Sequence, residues 1–318
     1  MRILHVTEQG STVRTSGERL EVSVDGLPLL TAGLHTLEAL VLHGAVQVTA
    51  PAASRLLAAG IPSVYVGLDG RLKGRLEPVG HPAARLRSAQ ALAAADPARR
   101  LAIAREIVRN KLTAQARLLR ALRRPESTAL LGLLPRVRAA ETLDELRGAE
   151  GWAGRVYFAA LRAHLSLAGW RRARRPARDP LNALFNYGYA LLMRPASIAV
   201  AAVGLDPYQG FLHCATRSQP ALVLDLIEEF RAPLVDLLVV RLYPTLSRDT
   251  GWFEQTEAGT RLALDVRKQL IAAFEARLTR ATRYRPTGRR EEVGRLFELQ
   301  ARAFARAIRT GGPVRPAW

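Results

Sequence analysis

Residues 70–82, GRLKGRLEPVGHP, divide the chain. Three glycines and two prolines in thirteen residues favour neither helix nor strand, so the stretch reads as a connection. Ahead of it the pattern is strand-like: RLEVSV at 19–24 alternates, and MRILHVT at 1–7 and ALVL at 39–42 are compact apolar runs. One piece, PAASRLLAAG at 51–60, reads as a short helix closed by glycine and followed by an apolar strand at 61–66. Behind the connection the period changes. In RRLAIAREIVRNKLTAQARLLRAL at 99–122, Leu101, Ile103, Ile107, Val108, Leu112, Leu118 and Leu119 recur at three- and four-residue steps, and helical segments continue to Arg309. The expected fold class is therefore α+β: a small N-terminal β-rich domain over residues 1–73, a linker at 74–82 and a larger all-α domain over 83–318. No fixed-period repeat is visible, and the tail after Gly311 is expected to fray.

Of the 318 residues 48% are hydrophobic and 24% charged, which excludes a disordered chain. The charge is lopsided. Lysine and arginine number 47 against 28 aspartates and glutamates, a formal net charge of +19, which attracts polyanions. Only Lys73, Lys111 and Lys268 are lysines; a GC-rich genome explains arginine in place of lysine, but not an excess of cations over anions. Residues 1–75 hold seven basic and six acidic side chains, so nearly all of the excess lies in the helical part, where a polyanion is expected to bind. Cys214 is the single cysteine and can form neither an internal disulfide nor a zinc cluster of its own. No apolar run reaches a membrane span of roughly 18–20 residues and the N-terminus lacks a signal-peptide core, so a cytoplasmic location without a membrane partner is expected.

Familiar enzyme signatures are missing: there is no glycine-rich phosphate loop, no G-x-S-x-G elbow and no paired cysteine and histidine at zinc spacing. What remains are hard ligands. Glu150 sits in LRGAEGWAGRVYF (146–158), among small residues that let something bulky approach, although a lone glutamate there also suits a plain surface. His213, in GFLHCATRS (210–218), follows apolar residues and precedes a helix whose start Ser218 and Pro220 mark; a histidine in such a place also serves as a satisfied core residue. In that helix, ALVLDLIEEFR (221–231), Asp225 and Glu228 are three residues apart and share a face, with Asp225 between Leu224 and Leu226. One imidazole with two or three carboxylates suits Mg²⁺ or Mn²⁺ better than a closed zinc site. On a basic domain such a site points to phosphodiester chemistry. A third stretch, RRARRPARDPLNALFNYGYALLM (171–193), opens with Arg171, Arg172, Arg174, Arg175 and Arg178 and runs into Asn182, Asn186, Tyr187 and Tyr189, a mixture suited to holding phosphates and stacking bases when it is not simply a solvated face.

In this order and spacing these segments resemble the CRISPR-associated integrase family numbered one among Cas proteins, along almost the whole chain. The resemblance rests on the Gly-Arg-Leu-Lys-Gly turn, Glu150–Gly151 with Tyr157 and Phe158 behind it, Arg-Arg-Pro and then Asn-Ala-Leu-Phe-Asn-Tyr-Gly-Tyr, His213, and Leu-Asp-Leu-Ile-Glu-Glu-Phe-Arg. It implies a homodimer built by the β domain and one divalent metal, Mg²⁺ or Mn²⁺, held in the helical domain by Glu150, His213 and Glu228. Asp225 matches an acidic position beside that metal, and which of Asp225 and Glu228 coordinates directly stays open. Asn186 and Tyr187 line the site as substrate contacts. The implied reaction is transesterification: a 3′-hydroxyl of a captured DNA fragment attacks a phosphodiester at the border of a CRISPR repeat. The implied partners are DNA, as branched or duplex DNA with 3′ ends and as the CRISPR repeat, and the small Cas protein numbered two. Two other readings stand beside it: a non-catalytic basic DNA-binding architectural protein, and a related transposase outside a CRISPR locus.

Overall fold

The computed structural model describes residues 2–67, 72–78, 83–173, 176–214, 219–248, 251–257 and 259–318. Eight strands make the N-terminal part: β1 (Arg2–Val6), β2 (Thr12–Ser16), β3 (Arg19–Val24), β4 (Leu27–Gly33), β5 (Leu37–His43), β6 (Gln47–Val48), β7 (Ser63–Val66) and β8 (Leu72–Leu76), with helix α1 (Ala50–Ala58) between β6 and β7. They form two four-stranded sheets, ordered β4-β3-β2-β6 and β1-β5-β7-β8. Sequence pattern follows burial. In β3 only Leu20 and Val22 are buried, so it alternates; β5 lies inside its sheet with both faces covered, so Ala39, Leu40, Val41 and Leu42 form an unbroken apolar run. Leu40 and Leu42 face Val13, Leu20, Val22 and Leu56 between the sheets. Each such fully buried side chain contributes about 1.5–3 kcal/mol.

The other face of β5 and β7 is covered from the helical part. Ala39, Val41, Val64 and Val66 pack on Ile198, Ala201 and Ala202, so the two parts share a core. The connection also begins later than the expected residue 74. Residues 72–76 are β8, antiparallel to β7 with Ser63 opposite Leu76 and Tyr65 opposite Gly74, because a fourth strand satisfies the open edge of β7. Residues 79–82 lie outside the described residues.

The helical part comprises α2 (Ala83–Ala95), α3 (Pro97–Ala121), α4 (Glu126–Gly132), α5 (Leu134–Ala139), α6 (Leu143–His164), α7 (Pro180–Val203), α8 (Ala221–Phe230), a π-helical segment Arg231–Asp236, α9 (Leu237–Leu246), α10 (Leu264–Leu278) and α11 (Val293–Thr310). It is not free of strands. β9 (Phe253–Thr256) pairs with β10 (Gly259–Leu262), and β11 (Ala281–Arg283) with β12 (Arg290–Glu292), as two short antiparallel ribbons. Helix starts are set chemically: Asp96 accepts the Ala98 and Arg99 amides ahead of Pro97, and Thr142 accepts the Glu145 amide. Among the described residues no helix is long and apolar enough to cross a membrane.

Helices α3, α6, α7 and α8 surround one interior, in which Tyr157, Phe185, Phe211 and Phe230 are fully buried. The π-helical segment lies against α7 where Gly188 faces Val235 so closely that a Cβ has no room. The tail does not fray. Val314 and Ala317 are buried; Asn110 donates to the Val314 carbonyl (2.9 Å), Gln300 to Arg315 (3.0 Å) and the Arg285 amide to Ala317 (2.8 Å), while Trp318 meets the Phe230 ring edge-on. Its backbone groups find partners on remote elements, which no local pattern announces.

Candidate active site

Four elements meet around Glu228. Helix α3 carries Lys111 and α6 carries Glu150; His213 comes from the loop before α8, and Asp225 and Glu228 stand one turn apart on α8 itself. Glu228 is 3% exposed, and the Lys111 ammonium lies 2.8 Å from its Oε2 while also contacting Glu150 Oε1. The two carboxylates therefore converge on one cation. Arg231, at the start of the π-helical segment, reaches Glu228 Oε1 at 3.0 Å. Burial alone would push the Glu228 carboxyl up, but Arg231, Lys111 and His213 outweigh it and hold its pKa down at about 2. In return, burial pulls the Lys111 ammonium down and Glu228 with Glu150 more than restores it, so both partners stay charged.

Asp225 has different neighbours. Its Oδ2 accepts the Phe211 and Leu212 amides (2.6 and 3.1 Å), and its Oδ1 accepts the His213 amide (3.0 Å) and lies 2.7 Å from His213 Nδ1. A carboxylate there fixes the proton on Nδ1 and leaves Nε2 as the free nitrogen, 3.7 Å from Glu228 Oε1. The carbonyl side of the loop is held as well: Arg100 donates to Phe211 O (2.9 Å) and Arg147 to Leu212 O (3.1 Å). Gly210 lets this loop press onto the first turn of α8, since a Cβ would sit 2.7 Å from that of Ala221.

Behind Glu228 lies a layer of tyrosines. Tyr157 and Tyr189 each donate to Asp236 at 2.6 Å, one to each oxygen. Burial, and then Asp236 itself, push both phenols well above their ordinary range, so they remain donors. The Arg231 guanidinium stacks over Tyr189, 4.6 Å from the ring centre, and so is fixed between a ring and a carboxylate.

Of the residues singled out in the sequence, the structure brings Glu150, His213, Asp225 and Glu228 together. Of the arginine run, Arg171 and Arg178 are exposed and Arg174 and Arg175 lie outside the described residues. Arg172 turns inward: it donates to Asn182 (2.8 Å) and Asn186 (2.7 Å), and its guanidinium lies within 6 Å of the rings of Phe158, Phe185 and Tyr189. Tyr187 is half-buried against the helical core. Sequence reasoning misses Lys111, Arg231 and Asp236. A signal exists for Lys111, one of three lysines beside 44 arginines, at a place where a compact ammonium can touch two carboxylates at once.

Among the described residues no three His, Cys, Asp or Glu side chains are closed into a ready metal cluster, because Lys111 stands between Glu150 and Glu228. The donor set nonetheless fits a hard divalent cation: two carboxylates meet at one point, and an imidazole nitrogen lies 3.7 Å from Glu228 Oε1 with its other nitrogen pinned by Asp225.

A two-sheet domain joined to a helical body, with a buried carboxylate and imidazole centre beside fixed cations, describes the class. The chain belongs to the Cas1 family: the family model for CRISPR associated protein Cas1 matches residues 4–276. CRISPR-associated endonuclease Cas1 1 of Thermus thermophilus is 37% identical over 316 residues, covering 98% of each chain. Among solved structures, a casposase bound to integration product superposes with a TM-score of 0.84 at 23% identity, over 100% of this chain and 99% of that one. A chain of a partial Cas6-RT-Cas1–Cas2 complex superposes with a TM-score of 0.76 at 22% identity, over 98% of this chain and 96% of that one.

Proposed function

We propose that the protein is a divalent-metal-dependent DNA nuclease and integrase that inserts captured DNA fragments into a CRISPR array by transesterification at repeat borders. The observation that carries this reading is the convergence of Glu150 and Glu228 on one buried cation beside an imidazole nitrogen that Asp225 leaves free. Glu150, His213 and Glu228 are the ligands, and Asp225 orients His213. Mg²⁺ or Mn²⁺ held there supplies Lewis-acid neutralisation of the phosphoryl oxygens. The chain's own groups do the rest. Lys111 and Arg231 keep Glu228 ionised, and Lys111 pins Glu150 and Glu228 on a common point. Asp225, Arg100 and Arg147 fix the loop that presents His213, so little reorganisation is left for the reaction itself.

In the exchange, a new bond forms between the attacking 3′-oxygen and phosphorus as the bond to the leaving 3′-oxygen breaks; the attacking hydroxyl gives up a proton and the leaving oxygen takes one. The number of phosphodiesters is unchanged, and no external energy source is needed. The names of the relatives support this reading, as does the casposase seen with its integration product. The structural neighbour from a complex with Cas2 supports a small Cas2-type partner, and a homodimer belongs to the same proposal. Disintegration of a branched DNA that mimics the half-integrated product tests it. Wild-type protein with Mn²⁺ should release the branch and reseal the duplex, whereas EDTA or Glu150→Ala should abolish this. Binding without reaction in every sample would make the protein an architectural DNA binder.

A further inference from the structure

The ribbon of β11 and β12 joins α10 to α11 and lies beyond residues 4–276, which the family model matches. It is densely cationic. Arg280, Arg283, Arg285, Arg289 and Arg290 are all exposed, and among the described residues none of them pairs with a carboxylate. Of the ribbon's two carboxylates, Glu291 is already engaged by Arg295 at 3.1 Å, and the exposed Glu292 stands opposite Ala281 at the end away from the turn. The register places Arg283 directly opposite Arg290, like charges that repel across a two-stranded ladder. An isolated protein gains nothing from that pairing, and an anion lying across the ribbon relieves it.

The ribbon is also firmly mounted. Tyr284, 5% exposed, anchors its turn, the Tyr284 amide donates to Arg289 O (2.8 Å), and the Arg285 amide is tied to the docked tail through Ala317 O (2.8 Å). The arginines are thus carried on a fixed frame. They continue toward α3, where Arg285 lies close enough to the half-buried Arg117 to help burial pull that guanidinium down. The one aromatic residue of the turn, Tyr284, is buried, which leaves the ribbon guanidiniums for phosphates and no platform for a base.

We propose that Arg283, Arg285, Arg289 and Arg290 form a sequence-independent phosphate-binding ribbon for duplex DNA, separate from the centre at Glu150 and His213. The assignment rests on the DNA-directed reading above, but it needs no catalysis to be tested. Duplex binding by the full chain is followed by anisotropy in EDTA across a range of salt, on two unrelated sequences. Replacing the four arginines by glutamine should make the log–log salt slope shallower by about 0.9 for each phosphate no longer neutralised, roughly 2–4 in all, and equally on both sequences. The four-lysine variant should keep the wild-type slope, which separates the removal of charge from a damaged fold. Glutamines at the exposed Arg136 and Arg138 of α5 should change nothing.

An unchanged slope in the glutamine variant overturns the proposal, and the same variant failing to bind a purified Cas2-type partner would make the ribbon a protein-docking surface instead. A change confined to one sequence would also overturn it, by pointing to base readout. A wild type that fails to catalyse disintegration while its ribbon variant still shows the shallower slope would sink the integrase reading and leave the ribbon standing.

Discussion

Asp225 and Glu228 stand one turn apart on α8, 2% and 3% exposed, yet they are compensated by opposite means. Asp225 is satisfied by three backbone amides and an imidazole, all of which belong to the loop it holds. Glu228 is satisfied by charge, from Lys111 at 2.8 Å and Arg231 at 3.0 Å. A carboxylate whose lone pairs are committed to a loop is structural scaffolding for its neighbour. One held by cations keeps oxygens that another cation can claim. Glu229, next in sequence, is a third case: it is buried with one weak amide contact, from Ala317 at 3.4 Å, and burial pushes its pKa up to about 8.

These differences give tests of graded size. Lys111→Met removes the cation from a buried cluster and should cost about 3–5 kcal/mol of stability without metal. Mn²⁺ should restore more of that loss than it adds to the wild type, as read by thermal unfolding with and without the ion. Equal metal gains in both proteins would break the idea that Lys111 and the metal share the same oxygens. Glu228→Gln keeps the shape and removes the charge; strand transfer on a branched DNA should fall by at least about 10²–10³-fold, the scale of losing a group aimed at developing charge. Asp225→Asn should cost less, about 10–100-fold, the range for partners that orient a ligand, accompanied by loosening of the 211–213 loop in hydrogen exchange.

Glu229→Gln concerns stability alone. The folded pKa of about 8 lies above the ordinary 4.5, so the folded state binds more protons between these values and stability falls as pH rises through that window. The slope is at most about 1.4 kcal/mol per pH unit. The glutamine variant should flatten it, as measured by denaturant unfolding at pH 5 and pH 8. A parallel pH profile would mean that Glu229 ionises without cost.

The same contrast explains what could be read in advance. Glu150, His213 and the pair on α8 were legible because their residue types stand out against small or apolar surroundings, and β3 and α3 because burial on one face leaves a period. Charge compensation was not legible. Lys111 and Glu150 are 39 residues apart, and the pairing exists only once α3 crosses α6. The separate fates of Asp225 and Glu228 were equally hidden, since the amides that claim Asp225 come from a loop. Arg172 sits in a run that reads as a phosphate-holding cationic stretch, yet Asn182, Asn186 and three aromatic rings draw it inward. The tail after Gly311 carries no periodicity, and what holds it are carbonyls bonded to Asn110 and Gln300.

Calorimetric titration of Mn²⁺ into the wild type, Glu228→Gln and Asp225→Asn tests the division of labour on α8 most directly. Saturable binding to the wild type is expected, with none to Glu228→Gln and binding weakened about 10–100-fold in Asp225→Asn. Intact binding to Glu228→Gln with none to Asp225→Asn would make Asp225 the ligand and contradict that division.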